Sequence, residues 1–246
     1  MIQHLLQLIW NQRKQNAWLW AELLLVSVFL WFLVDYLYVM GRTYTAPLGF
    51  DIRHTYSIVI SSLSERSPDY IPKEKRERPD GVHLLTALDR IRTYPGVESA
   101  CLTDGGMPYY MGSRNLVWRI DTLQVPCRYA FVTPEFFDVF RIYDKDGKTA
   151  SLKRAIEDNN SIVISADVET MNPGLSLLGQ KAYRGNVTDE IEETIRGISV
   201  PIRRHEYTKA EPNVYRALRL SRMEEGYYEG MIDAVRLCVR VRPDVD

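Results

Sequence analysis

The chain has 246 residues, with 31 lysines and arginines against 32 aspartates and glutamates, so its formal net charge is −1 at pH 7. It therefore lacks the basic excess that nucleic-acid-binding proteins usually carry. Hydrophobic residues make up 46% and charged residues 26%, which excludes a wholly disordered chain and suits one or two globular domains. The front of the chain is the most apolar part: residues 1–40 hold only four formal charges, on Arg13, Lys14, Glu22 and Asp35.

Residues 16–40 are predicted to form a transmembrane helix. From residue 17 onward the stretch has no glycine or proline, and it would rise about 36 Å, more than the roughly 30 Å of a hydrocarbon core. Tryptophans and tyrosines lie near both ends, as in the aromatic belts of membrane helices. A cleaved signal peptide is disfavoured because the apolar stretch is too long and no small-residue cleavage site follows it. Glu22 and Asp35 are expected to reach the headgroups at opposite ends rather than to form one site.

The charges beside the span predict its orientation. Arg13 and Lys14 precede it, and positive residues near a first span favour the cytoplasmic side. The N-terminus is therefore expected inside and residues 41–246 outside. Residues 1–15 are predicted to form a cytoplasmic amphipathic helix that contacts membrane lipid, with a plain extension of the span as the alternative. Its apolar positions at helical spacing are Ile2, Leu5, Leu6 and Ile9.

Residues 41–246 are predicted to fold as an α+β, or mixed α/β, domain with more strand than helix, because period-2 and period-3.6 apolar patterns both occur. A second subdomain is expected over roughly 115–210. The predicted elements, in chain order, are a strand over 51–62, an exposed loop over 64–81, a helix over 82–94, a strand over 97–102, a glycine-rich loop over 104–113, a hairpin turning near Asp121, a short helix capped by Thr133, strands over 161–165, 195–202 and 214–220, and a half-buried strand over 235–241.

The cysteines give no disulfide scaffold and no zinc-ligand spacing. Cys101, Cys127 and Cys238 are an odd number and form no CxxC pair. One disulfide is possible if the domain lies outside the cytoplasm, but the spacing does not select a pair. Apolar neighbours favour three buried free thiols.

The sequence contains no complete catalytic motif. Gly147-Lys148-Thr149 lacks the earlier glycine of a phosphate loop, and the same segment lacks the first and twelfth ligands of a calcium loop. His205-Glu206 would begin an HExxH zinc motif, but Lys209 occupies the second histidine position. The sequence therefore predicts no catalytic, cofactor-binding or metal-binding residue, and no enzyme activity.

Several segments resemble, in the same order, the MacB/FtsX-type permeases of ABC transporters. The resemblance covers the first span and the periplasmic core domain of that family, which is nearly the whole chain. The segments are the N-terminal HLLQLIWNQRKQNAWLWAELLL, ALDRIRTYPGVESACL (87–102), YAFVTPEFFDVFRI (129–142), SIVISADVETMNPG (161–174), TIRGISVPI (194–202), PNVYRALRL (212–220) and LCVRVRPDVD (237–246).

The resemblance implies a non-catalytic permease subunit of the bacterial inner membrane with a MacB-like periplasmic core domain. Such subunits dimerise, as homodimers or with another permease, and pair with a cytoplasmic ABC ATPase. ATP-driven motion crosses the membrane to the outer domains, which handle cargo or a periplasmic partner. The exposed loop 64–81 and the glycine-rich loop 104–113 are the expected contact regions.

The chain departs from this family because it carries one predicted span where the family has four. Either the sequence is the front portion of a permease or the gene product has a single span. Two other functions stay open. One is a single-pass sensor or accessory protein whose outer domain binds a ligand or partner. The other is a membrane-tethered enzyme whose site assembles only in space.

Overall fold

The computed structural model describes residues 7, 10, 14, 17–61, 63–110, 112, 114–184, 191–228 and 232–244. The chain divides into two units, Met1–Ala46 and Pro47–Asp246. The amphipathic helix predicted over 1–15 lies outside the described residues at all but three of its positions.

The first unit is one long apolar helix, α1, Ala17–Thr45. None of its residues is buried, and its 29 residues correspond to about 43 Å. By length and composition it is able to cross a membrane. The helix ends five residues beyond the predicted end at residue 40. Gly41 does not break it, and Pro47 is the first proline after it, which disfavours helical backbone at the preceding residue. The Thr45 hydroxyl donates to the Gly41 carbonyl at 3.0 Å.

The second unit is mixed α/β, as predicted. Its elements are β1 Thr55–Ile58, α2 Asp80–Arg92, β2 Val97–Asp104, β3 Arg114–Ile120, β4 Leu123–Val132, α3 Phe136–Val139, α4 Ala150–Glu157, β5 Ser161–Ser165, α5 Asp167–Met171, β6 Lys181–Arg184, β7 Ile191–Ser199, β8 Asn213–Ala217, α6 Leu220–Glu224 and β9 Arg236–Val241. Single 3₁₀ turns occur at Lys73–Lys75 and Ile232–Ala234.

The strands form one sheet that closes partly on itself. The order is β1-β9-β2-β4-β3-β6-β7-β5-β8, and β8 also pairs with β4. The six strands from β4 round to β8 therefore make a closed ring, and β2, β9 and β1 extend from it. The closing pair is parallel, with Arg128 opposite Asn213 and Val132 opposite Ala217. The ring spans residues 114–217, and the separate subdomain expected over 115–210 stays a prediction.

Three clusters of buried side chains form the core of the domain. The interior of the ring is filled by a cluster around Trp118, Ile120, Ile164 and Ile195. Helix α2 packs on β2 and β9, and its Leu84 and Leu88, four residues apart, are almost fully buried. The third cluster joins α3 and α4 to the sheet and contains the phenylalanines of α3. The periodic apolar positions thus form the core that their spacing predicts.

The predicted cap at Thr133 is wrong. The helix begins at Phe136, after Glu135, and no side chain caps it. The Thr133 hydroxyl instead accepts a hydrogen bond from the Leu102 amide at 3.2 Å, and its own amide donates to the Leu102 carbonyl at 3.0 Å. Thr133 is therefore fixed to β2 and is unavailable to the first turn of α3.

Strand bounds also differ from the pattern. The first strand covers only Thr55–Ile58 of the predicted 51–62. Strand β7 starts at Ile191, four residues before the predicted start, because its first residues pair with β6. Helix α4, with Leu152, Ala155 and Ile156 buried, was not predicted. This helix has only about two turns, and the sequence just before it predicts no helix but only a reverse turn.

Strand β9 is buried on both faces, whereas alternation predicts one solvated face. Arg240 lies on the predicted polar face and is only 1% exposed. Its Nε donates to the Val139 carbonyl at 2.7 Å, one terminal nitrogen donates to the Arg53 carbonyl at 2.8 Å, and the other donates to the Asp51 carbonyl. Three backbone carbonyls thus replace the water that the guanidinium loses.

The segment that enters the domain, residues 48–53, is held at further points. The Arg203 amide donates to the Leu48 carbonyl at 3.0 Å, and the Asp51 amide donates to the Phe140 carbonyl at 2.8 Å. Gly49 has φ +84°, and a Cβ there would lie 2.1 Å from the Pro201 carbonyl oxygen. Only glycine fits this approach, so the entry segment lies directly against the domain.

We predict that Arg240→Met destabilises the protein by about 3–5 kcal/mol, because three buried carbonyls lose their donor. The measurement is chemical unfolding of the full chain in detergent. Arg242→Met, just after the end of β9, is the control, and it should stay within about 0.5 kcal/mol because Arg242 is exposed. Equal unfolding midpoints for the two variants would contradict this role of Arg240.

Candidate interaction cleft

The described residues do not bring together a set suited to metal binding or nucleophilic catalysis. Among them no three His, Cys, Asp or Glu side chains are placed to hold a metal ion. All three cysteines are buried and free. His205 accepts a hydrogen bond from the Tyr207 amide at 3.2 Å and so helps to form a local turn. The absence of catalytic residues remains a prediction.

A cavity of about 610 Å³ opens where the ring meets the β2 extension. Its size lies within the range of small-molecule sites. The ends of β2, β6 and β8 reach it, and the segment around α6 forms its rim. The charged and aromatic lining residues are Asp104, Arg114, Phe131, Arg184, Glu193, Arg216, Arg219, Arg222, Tyr227 and Tyr228.

Glu193 is the electrostatic centre of one wall. It is 2% exposed, and its Oε1 accepts a hydrogen bond from Arg216 Nε at 2.7 Å. Arg184 Nε lies 3.4 Å from its Oε2. Burial lowers the pKa of Arg216, and the charge of Glu193 opposes that shift. The Arg216 guanidinium also lies 5.0 Å from the centre of the Phe131 ring. One carboxylate therefore balances two guanidinium groups.

The second carboxylate of the cleft, Asp104, is also paired. Arg114 donates to its Oδ2 at 2.7 Å. Burial raises the pKa of Asp104, and the ion pair with Arg114 opposes this rise. Asp104 ends β2 and Arg114 begins β3, so this pair links the extension to the ring.

Two arginines at the rim have no ion-pair partner among the described residues. Arg222 lies over the Tyr227 ring at 5.2 Å, and Tyr227 packs edge-to-face on Tyr228 at 5.2 Å. Arg219 lies just before α6. The described lining thus holds five arginines and two carboxylates, a surplus that suits an anionic group beside aromatic rings. Residues 185–190 and 229–231, which adjoin the lining in the chain, lie outside the described residues.

The two loops expected to make contacts line further cavities, and Asp104, the first residue of loop 104–113, also lines the main cleft. The loop over 64–81 borders one of about 540 Å³, where Arg76 binds Asp80 at 2.7 Å. The described part of loop 104–113 places Met107, Pro108 and Tyr109 around an apolar cavity of about 250 Å³ beside β1. The cavity lined by five arginines, the arginine cleft, could not be found from the sequence because its residues come from distant elements. The spacing of Arg219 and Arg222 is the one local signal.

We predict that Glu193→Gln destabilises the protein by about 3–5 kcal/mol, because Arg216 and Arg184 lose the buried charge that balances them. Its neighbour supplies the control: Glu192 pairs with Lys181 at 2.7 Å with both side chains about half exposed, so Glu192→Gln should leave the unfolding midpoint almost unchanged. Unfolding of both full-length variants in urea measures the difference. Similar costs would mean that the Glu193 pair is as well screened as a surface pair.

We further predict that the rim arginines bind polyanionic aromatic dyes. Fluorescence anisotropy of pyrenetrisulfonate with the full chain should show binding that weakens with salt. The double variant Arg219→Ala/Arg222→Ala should bind about 10-fold or more weakly. Arg90→Ala, at an exposed position of α2, should bind like the wild type. Equal binding by all three proteins would exclude the rim arginines from anion recognition.

No family model matches the chain, and no curated protein matches it. Three solved structures are similar. A domain assigned to a permease protein from Porphyromonas gingivalis has 21% identity and a TM-score of 0.46, and the match covers 65% of this chain and 62% of that one. The match thus spans less than two thirds of that domain.

The other two are both outer domains of transporters. The periplasmic region of MacB from Actinobacillus actinomycetemcomitans has 10% identity and a TM-score of 0.44, with 80% of each chain covered. The extracellular domain of the noncanonical ABC-type transporter YknZ from Gram-positive bacteria has 10% identity and a TM-score of 0.43, with 77% of this chain and 84% of that one covered. Domains of the kind named by the sequence resemblance are therefore among the structures this chain is similar to.

Proposed function

We propose that the chain is a non-catalytic permease subunit, or its N-terminal portion, of a MacB/FtsX-type ABC transporter. The apolar helix α1 spans the bacterial inner membrane with the N-terminus inside. The domain from Pro47 onward lies in the periplasm and handles cargo or a partner. A cytoplasmic ATPase subunit and a second permease protomer are the expected partners.

The attachment of the entry segment carries this proposal. Residues 48–53 follow α1 almost directly and are bound through Leu48, Asp51 and Arg53 to three distant parts of the domain. A simple membrane anchor works with a flexible linker at this place. A subunit that transmits motion needs a stiff one, since a slack chain absorbs displacement.

The arginine cleft suits the proposed contact with cargo or a partner. Its surplus of guanidinium groups and its tyrosine rim provide a place for an anionic group on a cargo or partner. The same cleft favours the alternative, a single-pass sensor or accessory protein that binds an anionic ligand. The two functions differ in whether an ATPase drives the domain.

The test uses the full chain in the source bacterium. We expect the protein to remain in membranes after alkaline extraction, and protease added to spheroplasts to digest the domain. An ABC ATPase should co-purify from solubilised membranes. Digestion only after the membrane is opened would contradict the orientation. Purification without such an ATPase would overturn the permease and leave the sensor.

We predict that a flexible link between the two units uncouples them. Inserting eight Gly/Ser residues between Ala46 and Pro47 adds roughly 16 Å of slack. The variant should keep its ATPase partner and its unfolding midpoint but lose ATP-dependent changes in the outer domain, measured with a spin label at exposed Arg90.

The same eight residues inserted after Glu77, in the exposed loop, form the control. This insertion lengthens the chain equally but leaves the entry segment unchanged, so coupling should persist. Coupling that survives the first insertion would contradict transmission through the entry segment.

A further inference from the structure

Two of the three cysteines lie directly opposite each other in the sheet. Strands β2 and β9 are antiparallel, and their register pairs Cys101 with Cys238. Both side chains are on the same face, since both belong to the cluster that packs against α3. The adjacent residues Leu102 and Leu237 point to the other face, against α2. This cross-strand placement is invisible in the sequence, where the cysteines are 137 positions apart.

The geometry of the pair matches that of a disulfide. Opposite residues in antiparallel strands have Cα atoms about 4.5 or 5.5 Å apart, and a disulfide spans about 4.4–6.8 Å. The register therefore places the two cysteines within the Cα separation that a disulfide spans. The Cys238 thiol also lies 3.7 Å from the thioether sulfur of Met107.

The third cysteine lies elsewhere. Cys127 is in β4, faces Leu116 of β3 in the register and belongs to the interior of the ring. Its thiol has no other cysteine in its cluster. Burial raises the pKa of Cys127 to about 12, so this thiol is unreactive in the folded protein at neutral pH.

We propose that Cys101 and Cys238 are the site of a cross-strand disulfide that joins β2 to β9, formed when the domain meets a disulfide-bearing oxidant. One thiolate attacks the oxidant R–S–S–R, releases one R–SH and forms a mixed disulfide. The second cysteine then displaces the other R–SH. The two protein thiols are oxidised, the oxidant is reduced, and both protons leave on the two R–SH molecules.

Folding sets the moment of this reaction. Both thiols are fully buried in the finished domain, and burial raises the pKa of Cys101. The oxidant therefore reaches them before β9 has packed against β2. The disulfide in cells rests on the extracytoplasmic location proposed above, since such bonds persist in oxidising compartments.

The first experiment is on the protein taken from cells. Membranes are quenched in acid, free thiols are alkylated in denaturant, and peptides of the full chain are identified by mass spectrometry without reduction. We expect alkylation of Cys127 alone and a linked peptide pair that contains Cys101 and Cys238. Linkage of Cys127 to either partner would overturn the assignment.

The second experiment refolds the purified full chain in detergent with oxidised or reduced glutathione. The oxidised protein should carry the same link and melt about 5–15 °C higher. Cys127→Ser should retain the link, whereas Cys101→Ser and Cys238→Ser should each lose it. Reduced thiols in cells combined with a link formed in glutathione would mean that the location is wrong. No link in either setting would overturn the disulfide itself.

Discussion

The domain depends on how the buried charge of Arg240 is satisfied. A guanidinium removed from water needs strong acceptors, and three backbone carbonyls supply them, from Val139 at the end of α3 and from Asp51 and Arg53 in the entry segment. These acceptors belong to parts of the chain separated by more than eighty residues. Satisfying one charge therefore fixes the entry segment, α3 and β9 together. The Arg53 side chain, in turn, binds the Asp51 carboxylate and holds its pKa at about 2.

The parts of the fold that could be predicted are those decided by local periodicity. Helix α2, the β3–β4 hairpin and β5 follow from apolar spacing because each packs one face, or one short run, against the core. The prediction for β9 was right about its existence and wrong about its second face. Alternation of valines and arginines normally indicates solvent on the arginine side. Here α3 covers that side, and only the tertiary structure places carbonyls around Arg240.

The cleft could not be predicted for a different reason. Its arginines come from β3, β6, β8 and α6, and nothing local links them. They meet because Tyr129 of β4 lies opposite Arg114 of β3 on one side and opposite Val214 of β8 on the other. This closure of the ring brings Arg114 and Arg216 to one cavity. The same argument applies to Cys101 and Cys238, whose pairing is a matter of register between strands far apart in sequence.

These features lie along one continuous part of the structure. Arg240 holds the entry segment, and its strand, β9, pairs with β2 along most of its length. Strand β2 ends at Asp104, which binds Arg114 in the cleft. Paired strands resist stretching better than loops because each residue is held by its neighbours, so this route suits the transmission of motion proposed above. A disulfide between Cys101 and Cys238 lies across the middle of that route and removes the possibility that β9 slides along β2.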